Sequence, residues 1–424
     1  MAQRLVEFGY ESIVVTSSGA ERDERWAPPD GSLLAEVPDS IEVWRVPAAG
    51  EPGPATGFRS GAERWLGLEE RWSSWWIKRS YLVGLEAGQA AELIYVWMQP
   101  YASADVGTAL SRALGVPWVA DLGDPWALDE MMTYPSALHH RRALRRMGRT
   151  LDTASAIVMS TPEAADRLVA TLPHLATRPV VAIPNGFDAA DFLTPPEPRG
   201  DGNFRIVHTG YLHTTLGRQH RRRALVRRSL GGSVRGVDIL ARSHVFLIEA
   251  INRLLGRDPA LTDILELHLA GVMDEADLDV ARLCPVAKLR GYMTHAESVA
   301  LMRSADLLFL PMQNLPDAVR STIVPGKTYE YLASGRPILA AVPEGDARDI
   351  LTEAGGSIIV RPDDIEGMAE ALDREIRRFR AGGEGPRRDP DVIARFEYRK
   401  LAGDLAGVFD DVLACQRTFA PAAR

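Results

Sequence analysis

The sequence predicts an α/β protein built from two doubly wound parallel sheets that face each other across a cleft. Two sets of six short apolar runs, rich in β-branched residues, are separated by segments of helical length. This alternation is typical of βαβ units with parallel strands. A segment rich in proline and glycine, Thr194 to Asn203, separates the two sets and predicts a linker. Ligands of such sheets bind outside the carboxyl ends of the strands.

Most of the predicted strands are apolar on both faces, as strands buried inside a parallel sheet should be. In chain order the runs are SIVVTS, IEVWRVP, LIYVWM, PWVADL, AIVMS and VVAIP, then FRIVHTG, LELHLAG, VAKLRGY, ADLLFLPM, RPILAAV and SIIV. We therefore expect a Rossmann-like domain over 1–197 and a second one over 198–390. Residues 391–424 contain a final helix, roughly Asp391 to Cys415, that we expect to cross back onto the first domain.

The beginning of the chain departs from the pattern of a doubly wound domain, which normally opens with a strand and a glycine-rich turn. AQRLVEFG instead resembles the end of a helix that closes at Gly9, and a strand follows directly. The first strand of the first domain is therefore expected to be absent. Either the recorded start lies too late or the sheet lacks a central strand, and we favour a misplaced start.

Composition narrows the class of protein. The 424 residues are 46% hydrophobic and 25% charged, which is typical of a soluble globular chain. The net charge of −8 argues against nucleic acid as a partner. Two distant cysteines, Cys284 and Cys415, favour a reducing compartment. No apolar run approaches the ~20 residues that span a bilayer. We expect a cytoplasmic protein, with the inner face of the cell membrane as a second place of action.

The most informative segment is PGKTYEYLASGRPILA, Pro325 to Ala340. A helix is expected to begin near Gly326, and its free N–H groups together with Lys327 predict a phosphate site. Glu330 follows about one turn later, where a carboxylate can accept hydrogen bonds from two neighbouring sugar hydroxyls. A phosphate beside a vicinal diol indicates a nucleotide.

A P-loop does not explain this segment. The position five residues before Gly326 holds Ser321 where the P-loop pattern requires glycine. Pro325 also lacks one of the N–H donors that such a loop uses. A dinucleotide oxidoreductase shares the sheet type but would require a G-x-G-x-x-G turn after a strand, and none is found.

Four segments in the same order resemble family-four nucleotide-sugar glycosyltransferases of the GT-B fold. WVADLGDPW (Trp118 to Trp126) resembles the D-x-R-D-P-W strand end of bacterial members, and IPNGFD (Ile183 to Asp188) resembles their interdomain turn. ARSHVFLIEAI (Ala241 to Ile251) resembles the arginine-led helix of the donor domain. Pro325 to Ala340, a P-x-K-x-x-E variant continued by Glu344 to Val360, resembles the donor-binding helix and the next strand. The resemblance covers nearly the whole chain.

The resemblance implies transfer of a sugar from a nucleoside diphosphate sugar, with retention of anomeric configuration. The acceptor would be a hydroxyl of a lipid-linked compound, a polysaccharide or a small metabolite. Positive groups on the diphosphate would stabilise the departing charge, so neither a metal nor another cofactor is expected. The rival hypothesis is an inactive GT-B homologue that acts as a binding or scaffold protein.

Carried over to this sequence, the family motifs predict the donor site. Glu330 would hold the ribose hydroxyls, while Lys327 and Arg242 would contact the diphosphate and act in catalysis. The backbone N–H groups of Ile323 and Val324 would share the phosphate. The alternative for each charged side chain is an ordinary exposed position, and Arg242 has many arginines around it.

Three further positions complete the predicted donor site. Gly210 ends the HTG strand, and Tyr292 in RGYMTH is expected near the nucleobase. Thr322 occupies the position of a second family glutamate that contacts the sugar. This change leaves the identity of the hexose open.

The acceptor side is expected at the ends of two strands in the first domain. Asp124 would face the transferred sugar or the acceptor and is our third candidate for catalysis, with Trp126 beside it. The alternative for Asp124 is a helix N-cap. Gln99 to Ser103, QPYAS, would line the same side. Gly123 replaces the family's usual arginine.

Two segments are candidates for peripheral contact with an anionic membrane. Residues 65–80 place an aromatic stripe on one predicted helix, for which packing in the core is the alternative. The stripe comprises Trp65, Leu68, Trp72, Trp75 and Trp76. The arginine-rich insert 217–236, which glycines suggest to be mobile, is open to three interpretations: a solvated loop, a lid over the donor, or a patch for anionic lipid or acceptor phosphate.

Overall fold

The computed structural model describes residues 1–18, 36–53, 71–194, 199–383 and 385–419. The chain forms two compact units. The first comprises Met1–Asn185, Leu230–Ser233 and Tyr398–Arg424, and the second comprises Gly186–Ser229 and Val234–Glu397. Both units are α/β with parallel sheets, so the predicted fold class of two Rossmann-like domains is confirmed.

The described strands of the first unit form two separate parallel sheets. β1 (Ile13–Ser17) pairs with β2 (Glu42–Val46). β3 (Ile94–Trp97), β4 (Trp118–Leu122), β5 (Ala156–Met159) and β6 (Val180–Ala182) form the second sheet in that order. No described strand pairs with both β1 and β3. The sheet expected of a doubly wound domain is therefore divided into a pair and a group of four.

Five described helices accompany these strands before the second unit begins. They are α1 (Ala2–Leu5), α2 (Arg71–Ala87), α3 (Ser103–Leu114), α4 (Ala137–Leu151) and α5 (Pro162–Thr171). α3, α4 and α5 contribute buried residues to the core around β4 and β5. The side chains of β5 are all buried, as in a strand covered on both faces.

The second unit has a single six-stranded parallel sheet in the order β12-β11-β10-β7-β8-β9. Its strands are β7 (Phe204–Thr209), β8 (Leu265–Ala270), β9 (Ala287–Gly291), β10 (Leu307–Pro311), β11 (Ile338–Ala341) and β12 (Ser357–Val360). The strand order reverses between β7 and β10. In open α/β sheets the ligand crevice lies at this switch point, outside the carboxyl ends of the strands.

Nine described helices belong to the second unit. They are α6 (Thr214–Arg222), α7 (Ala224–Leu230), α8 (Val245–Arg257), α9 (Glu275–Ala281), α10 (His295–Arg303), α11 (Lys327–Ala333), α12 (Asp346–Ala354), α13 (Ile365–Arg380) and α14 (Pro390–Ala394). Two buried apolar clusters, one on each face of the sheet, hold the helices to the strands.

The last helix, α15 (Tyr398–Phe419), belongs to the first unit. It buries Leu405 and Phe409 in an apolar cluster that includes Val119 of β4 and Val158 of β5. The hydroxyl of Tyr10 donates a hydrogen bond to Asp410 Oδ1 at 2.6 Å. The two ends of the described chain are thus part of the same core.

The described part of the predicted tryptophan stripe is packed inside the first unit. Trp76 of α2 is 8% exposed and stacks on Trp72, with 5.6 Å between the ring centroids. Both rings, with Trp75, pack in a cluster that includes the buried Val46. These three tryptophan side chains therefore pack in the core, which was the alternative interpretation of the stripe. Outside the described residues lie the other two members of the stripe, Trp65 and Leu68.

The arginine-rich insert 217–236 is helical rather than an irregular loop, because α6 and α7 span most of it. Arg221 donates two hydrogen bonds to the carboxylate of Asp238, at 3.0 and 2.6 Å. The short segment Leu230–Ser233 groups with the first unit, where Gly232 O accepts a hydrogen bond from the N–H of Tyr134 at 2.7 Å. The mobility of the insert stays a prediction.

A carboxylate in the sheet of the first unit makes stability depend on pH. Asp121 of β4 accepts a hydrogen bond from the Tyr95 hydroxyl. Burial raises the pKa of Asp121 from its ordinary value of 3.8 to about 6, and the Tyr95 hydrogen bond opposes this only in part. The folded protein therefore binds more protons than the unfolded chain between these two pH values.

We expect the free energy of unfolding to fall as pH rises from about 4 to about 6, by roughly 2–3 kcal/mol from this group. Asp121→Asn should remove that contribution and stabilise the protein at neutral pH. Chemical denaturation at a series of pH values checks this. Asp166→Asn, at an exposed position, is the control for loss of a carboxylate. Equal pH profiles for the parent protein and Asp121→Asn would contradict the assignment.

Candidate functional site

Glycines end three neighbouring strands of the second unit. The N–H of Gly210 donates to Ala270 O at 2.9 Å, and the N–H of Gly271 donates to Gly291 O at 2.8 Å. Gly271 has φ +137°, and a Cβ atom there would lie 2.3 Å from Gly210 O. Only glycine fits at that position. The carboxyl ends of β7, β8 and β9 are thereby joined closely at their edge of the sheet.

A buried hydrogen bond places α11 against the end of β7. The hydroxyl of Tyr331, which is fully buried, accepts the N–H of Thr209 at 2.9 Å. In the last turn of the same helix, the guanidinium of Arg388 donates to Tyr331 O at 2.9 Å and to Leu332 O at 2.7 Å. These contacts fix both the position and the direction of the helix that carries Lys327 and Glu330.

Lys327 lies over the end of β7. A Cβ atom built on Gly210 would meet Lys327 Cγ and His208 Nε2, each at 3.9 Å. Lys327 Nζ lies 2.6 Å from Glu330 Oε2, so the two predicted donor ligands form an ion pair with each other. The structure thus brings Gly210, Lys327 and Glu330 together, as the sequence predicted from the family motif.

His208 is a residue of this site that the sequence interpretation missed. Its Nδ1 lies 3.0 Å from Phe309 O, and because a carbonyl only accepts, Nδ1 carries the proton. Its Nε2 is buried and has no hydrogen-bond partner among the described residues. The available signal was a polar residue inside the apolar strand FRIVHTG, two positions before Gly210.

Burial, helped by nearby charges, keeps His208 neutral. Burial lowers the pKa of His208 to about 4, and the charges of Lys327 and Arg242 act in the same direction. Burial also lowers the pKa of His213 to about 3, with Arg242 as the next cause. Arg242 O accepts the N–H of His213 at 3.1 Å. Two basic side chains, those of Lys327 and Arg242, therefore lie near an uncharged histidine at the end of β7.

The backbone before α11 offers fewer free donors than we expected. The N–H of Ile323 donates to Ser321 Oγ at 3.2 Å, so it would have to exchange this partner for a phosphate oxygen. The N–H of Thr328 donates to Pro325 O at 2.9 Å within the first turn. Two further predicted donor-site residues, Val324 and Thr322, are 6% and 0% exposed.

Tyr292 follows the last residue of β9 and is 41% exposed. It lies at the same edge of the sheet as Gly210, because Gly291 is joined to Gly271 and Gly271 lies against Gly210. β9 is nevertheless two strands away from β7. The structure places Tyr292 at the margin of the site, not beside Lys327.

The predicted acceptor residues meet at the ends of β3 and β4 in the first unit. Gln99 Nε2 donates to Asp124 Oδ2 at 2.6 Å, and the N–H of Trp126 donates to Asp124 O at 2.8 Å. Trp126 has φ +50°, an unfavourable value for a bulky residue. Its ring stacks on Tyr101 with 5.2 Å between centroids. Such backbone strain is held in place by surrounding packing and is concentrated at functional sites.

Two other positions of this region have clear local roles. Ser103 begins α3, and its Oγ accepts a hydrogen bond from Trp76 Nε1 at 3.0 Å. A Cβ atom on Gly123 would lie 3.2 Å from Trp97 Nε1. The Trp97 indole therefore lies against the place where the arginine of the family pattern would begin.

Metal ligands and membrane-spanning helices can be judged for the described part of the chain. There, no group of three or more His, Cys, Asp or Glu side chains is arranged to hold a metal ion. Within the same ranges, no helix combines the length and the apolar character needed to cross a bilayer.

Two protein-family models match the chain. Residues 1–186 match a model described as glycosyl transferase 4-like domain, and residues 239–377 match one described as glycosyl transferases group 1. Together with the two Rossmann-like units, these matches identify the protein as a glycosyltransferase of the GT-B fold. No curated protein matches the sequence.

Solved structures with the same fold cover almost the whole chain. Sucrose-phosphate synthase from Thermosynechococcus elongatus is 14% identical, with 98% of this chain and 92% of that chain aligned at a TM-score of 0.62. The trehalose 6-phosphate synthase of Burkholderia multivorans is 14% identical over 98% and 99%, at 0.56. The Anabaena protein HepE, in complex with UDP and glucose, is 15% identical over 95% and 100%, at 0.54. At these identities the likeness establishes the fold alone.

Loss of the Tyr331 hydroxyl should destabilise the second unit. Tyr331→Phe leaves the N–H of Thr209 without its partner, and a buried unsatisfied group costs about 1–3 kcal/mol. Chemical denaturation of both proteins measures the difference. The matched control is Tyr81→Phe, because the Tyr81 hydroxyl has no hydrogen bond with the described residues. Equal losses in the two variants would show that the buried hydrogen bond contributes nothing of its own.

Proposed function

We propose that the protein is a retaining glycosyltransferase that moves a sugar from a nucleoside diphosphate sugar to a hydroxyl acceptor without a metal ion. The observation that carries this proposal is the convergence of Lys327, Arg242 and Gly210 at the end of β7. Two cations beside a glycine, which has no side chain to block a ligand, suit a diphosphate. The glycosyltransferase domains supply the reaction class.

The donor is proposed to bind with its diphosphate between Lys327 and Arg242 and its ribose at Glu330. Both side chains are cationic, so they would oppose the negative charge that grows on the diphosphate as the glycosidic bond to phosphate breaks. The ion pair between Lys327 and Glu330 holds both side chains beside β7 before a donor arrives. HepE is solved with UDP and with UDP-glucose, which makes UDP the first nucleotide to test.

The acceptor is proposed to bind at the ends of β3 and β4. The hydrogen bond from Gln99 orients the Asp124 carboxylate, and the Trp126–Tyr101 stack provides an apolar wall typical of sugar sites. Ser103 is held by Trp76 and would complete that wall. The acceptor classes are a lipid-linked compound, a polysaccharide or a small metabolite, and the reaction is placed in the cytoplasm.

The alternative is a GT-B protein that binds a nucleotide sugar without turnover. Thr322 supports it, since this buried residue supplies no carboxylate for the transferred sugar. Gly123 supports it as well, because the family arginine is absent and Trp97 lies against its place. Donor binding alone therefore does not separate the two functions, whereas turnover does.

Donor binding is tested with UDP and calorimetry. Lys327→Ala and Glu330→Ala should each weaken UDP binding about 10- to 100-fold, because hydrogen bonds to charged groups contribute about 1.5–3 kcal/mol. The control is Lys400→Ala, which removes an exposed lysine paired with Asp404 on α15. If Glu330→Ala bound UDP as tightly as the parent protein, the ribose assignment would be wrong.

Turnover is tested after a thermal-shift panel of nucleotide sugars has selected the donor. A true donor at 100 times its dissociation constant should add about 2.7 kcal/mol to the free energy of unfolding. Release of nucleoside diphosphate from that donor, with and without candidate acceptors, then reports catalysis. Release that disappears in Asp124→Ala supports the enzyme. Tight donor binding with no release under any condition favours the binding protein.

A further inference from the structure

The outer face of α4 is an uninterrupted basic surface in an acidic protein. Four arginines and one leucine on this helix are exposed: Leu138, Arg141, Arg142, Arg145 and Arg149. At 3.6 residues per turn their positions fall within an arc of about 100°. The leucine is 68% exposed and stands at the beginning of the stripe. We call these five residues the α4 face.

The inner side of the same helix is packed in the core. Met147 and Leu151 are completely buried, and Ala143 and Leu144 pack against the same cluster. The helix is thus held rigidly by one side, and packing does not account for the residues on the other. The α4 face is a fixed element of the first unit.

Counter-charges are missing from the α4 face. The helix contains no Asp or Glu, whereas a solvated helix face usually mixes both signs of charge. Arg146, which points away from the face, pairs with Asp105 at 2.7 Å. The four arginines of the face form no ion pair with any described carboxylate. Four unneutralised charges repel one another unless an anionic partner covers them.

The amino-acid composition of the α4 face indicates which kind of anionic partner it fits. Arginines beside a bilayer interact with anionic headgroups, and an exposed leucine on the same side can enter the boundary of the acyl chains. Nucleic acid uses the positive charges but has no comparable use for the leucine. The stripe of charge with one projecting apolar side chain therefore favours a lipid surface.

We propose that the α4 face binds the surface of an anionic lipid bilayer. This places the contact on neither of the two segments that the sequence suggested, 65–80 and 217–236. The proposal rests on the surface of the first unit alone and does not depend on the proposed function. If the acceptor is lipid-linked, the same contact would hold the first unit at the surface where that acceptor lies.

The test is co-sedimentation of the full chain with vesicles. Vesicles of equal parts phosphatidylcholine and phosphatidylglycerol should bind the protein, vesicles of phosphatidylcholine alone should not, and added salt should weaken binding. The variant R141Q/R142Q/R145Q/R149Q should lose at least ten-fold in partitioning, since each basic residue near an anionic surface contributes about a factor of five. Leu138→Ser should lose several-fold and leave the salt dependence in place.

Matched controls separate this face from net charge and from general hydrophobicity. The variant R253Q/R257Q/R282Q/R377Q removes four exposed arginines of the second unit, each of which has a carboxylate partner. Leu283→Ser removes a leucine that is also 68% exposed. Neither control should change vesicle binding. Circular dichroism and thermal unfolding of every variant establish that the folds are intact, and Arg145→Gln alone serves if the quadruple variant unfolds.

Four results would overturn the proposal. The first is an absence of binding between the parent protein and vesicles with phosphatidylglycerol at low salt. The second is an equal loss of vesicle binding in the two quadruple variants. The third is stronger binding of a single-stranded oligonucleotide than of the vesicles, with the same dependence on the four arginines. Vesicle binding that survives R141Q/R142Q/R145Q/R149Q would locate the membrane contact elsewhere and count against the α4 face as well.

Discussion

The hydrogen bond between the N–H of Thr209 and the hydroxyl of Tyr331 is the contact on which the donor site depends. The two residues are 122 positions apart in the chain. The N–H of Thr209 ends β7 and would otherwise be a buried donor without a partner, which native structures avoid. Because Tyr331 supplies that partner from α11, Lys327 comes to lie over Gly210. The position of Lys327 at the site thus follows from the hydrogen bond that the buried N–H of Thr209 requires.

Charge at the site is set by burial as much as by sequence. His208 and His213 are neutral because desolvation lowers the pKa of each, and the positive charge of Arg242 acts in the same direction on both. Arg388 is a third cation close to α11, and its guanidinium donates hydrogen bonds to the carbonyls of Tyr331 and Leu332 in that helix. The charges of Lys327 and Arg242 lie near the end of β7, where the strand order reverses.

Short sequence patterns predicted those features of the fold that depend on neighbouring residues in the chain. The alternation of apolar runs with helical segments was sufficient for two parallel sheets, since strand burial imposes that composition. The insert is helical where a solvated loop was one of three interpretations: its glycines lie near its ends, and the stretch between them is rich in good helix formers. Tyr331 and Arg388 could not be found this way, and His208 left only one signal, a polar residue inside an apolar strand. Their roles come from partners dozens of residues away, which no spacing in the sequence records.

The two departures from the family pattern have different physical consequences. A side chain at Gly123 meets Trp97, which is 56% exposed and can move aside, so an arginine there is sterically possible. Thr322 is fully buried, and a glutamate in its place would bury a carboxylate unless a bound sugar satisfied it. The charged residues proposed for the nucleotide, Lys327 and Glu330, are present, whereas Thr322 stands where the family motif has a carboxylate for the sugar. In the proposed function, specificity for the sugar would therefore come from contacts other than that carboxylate.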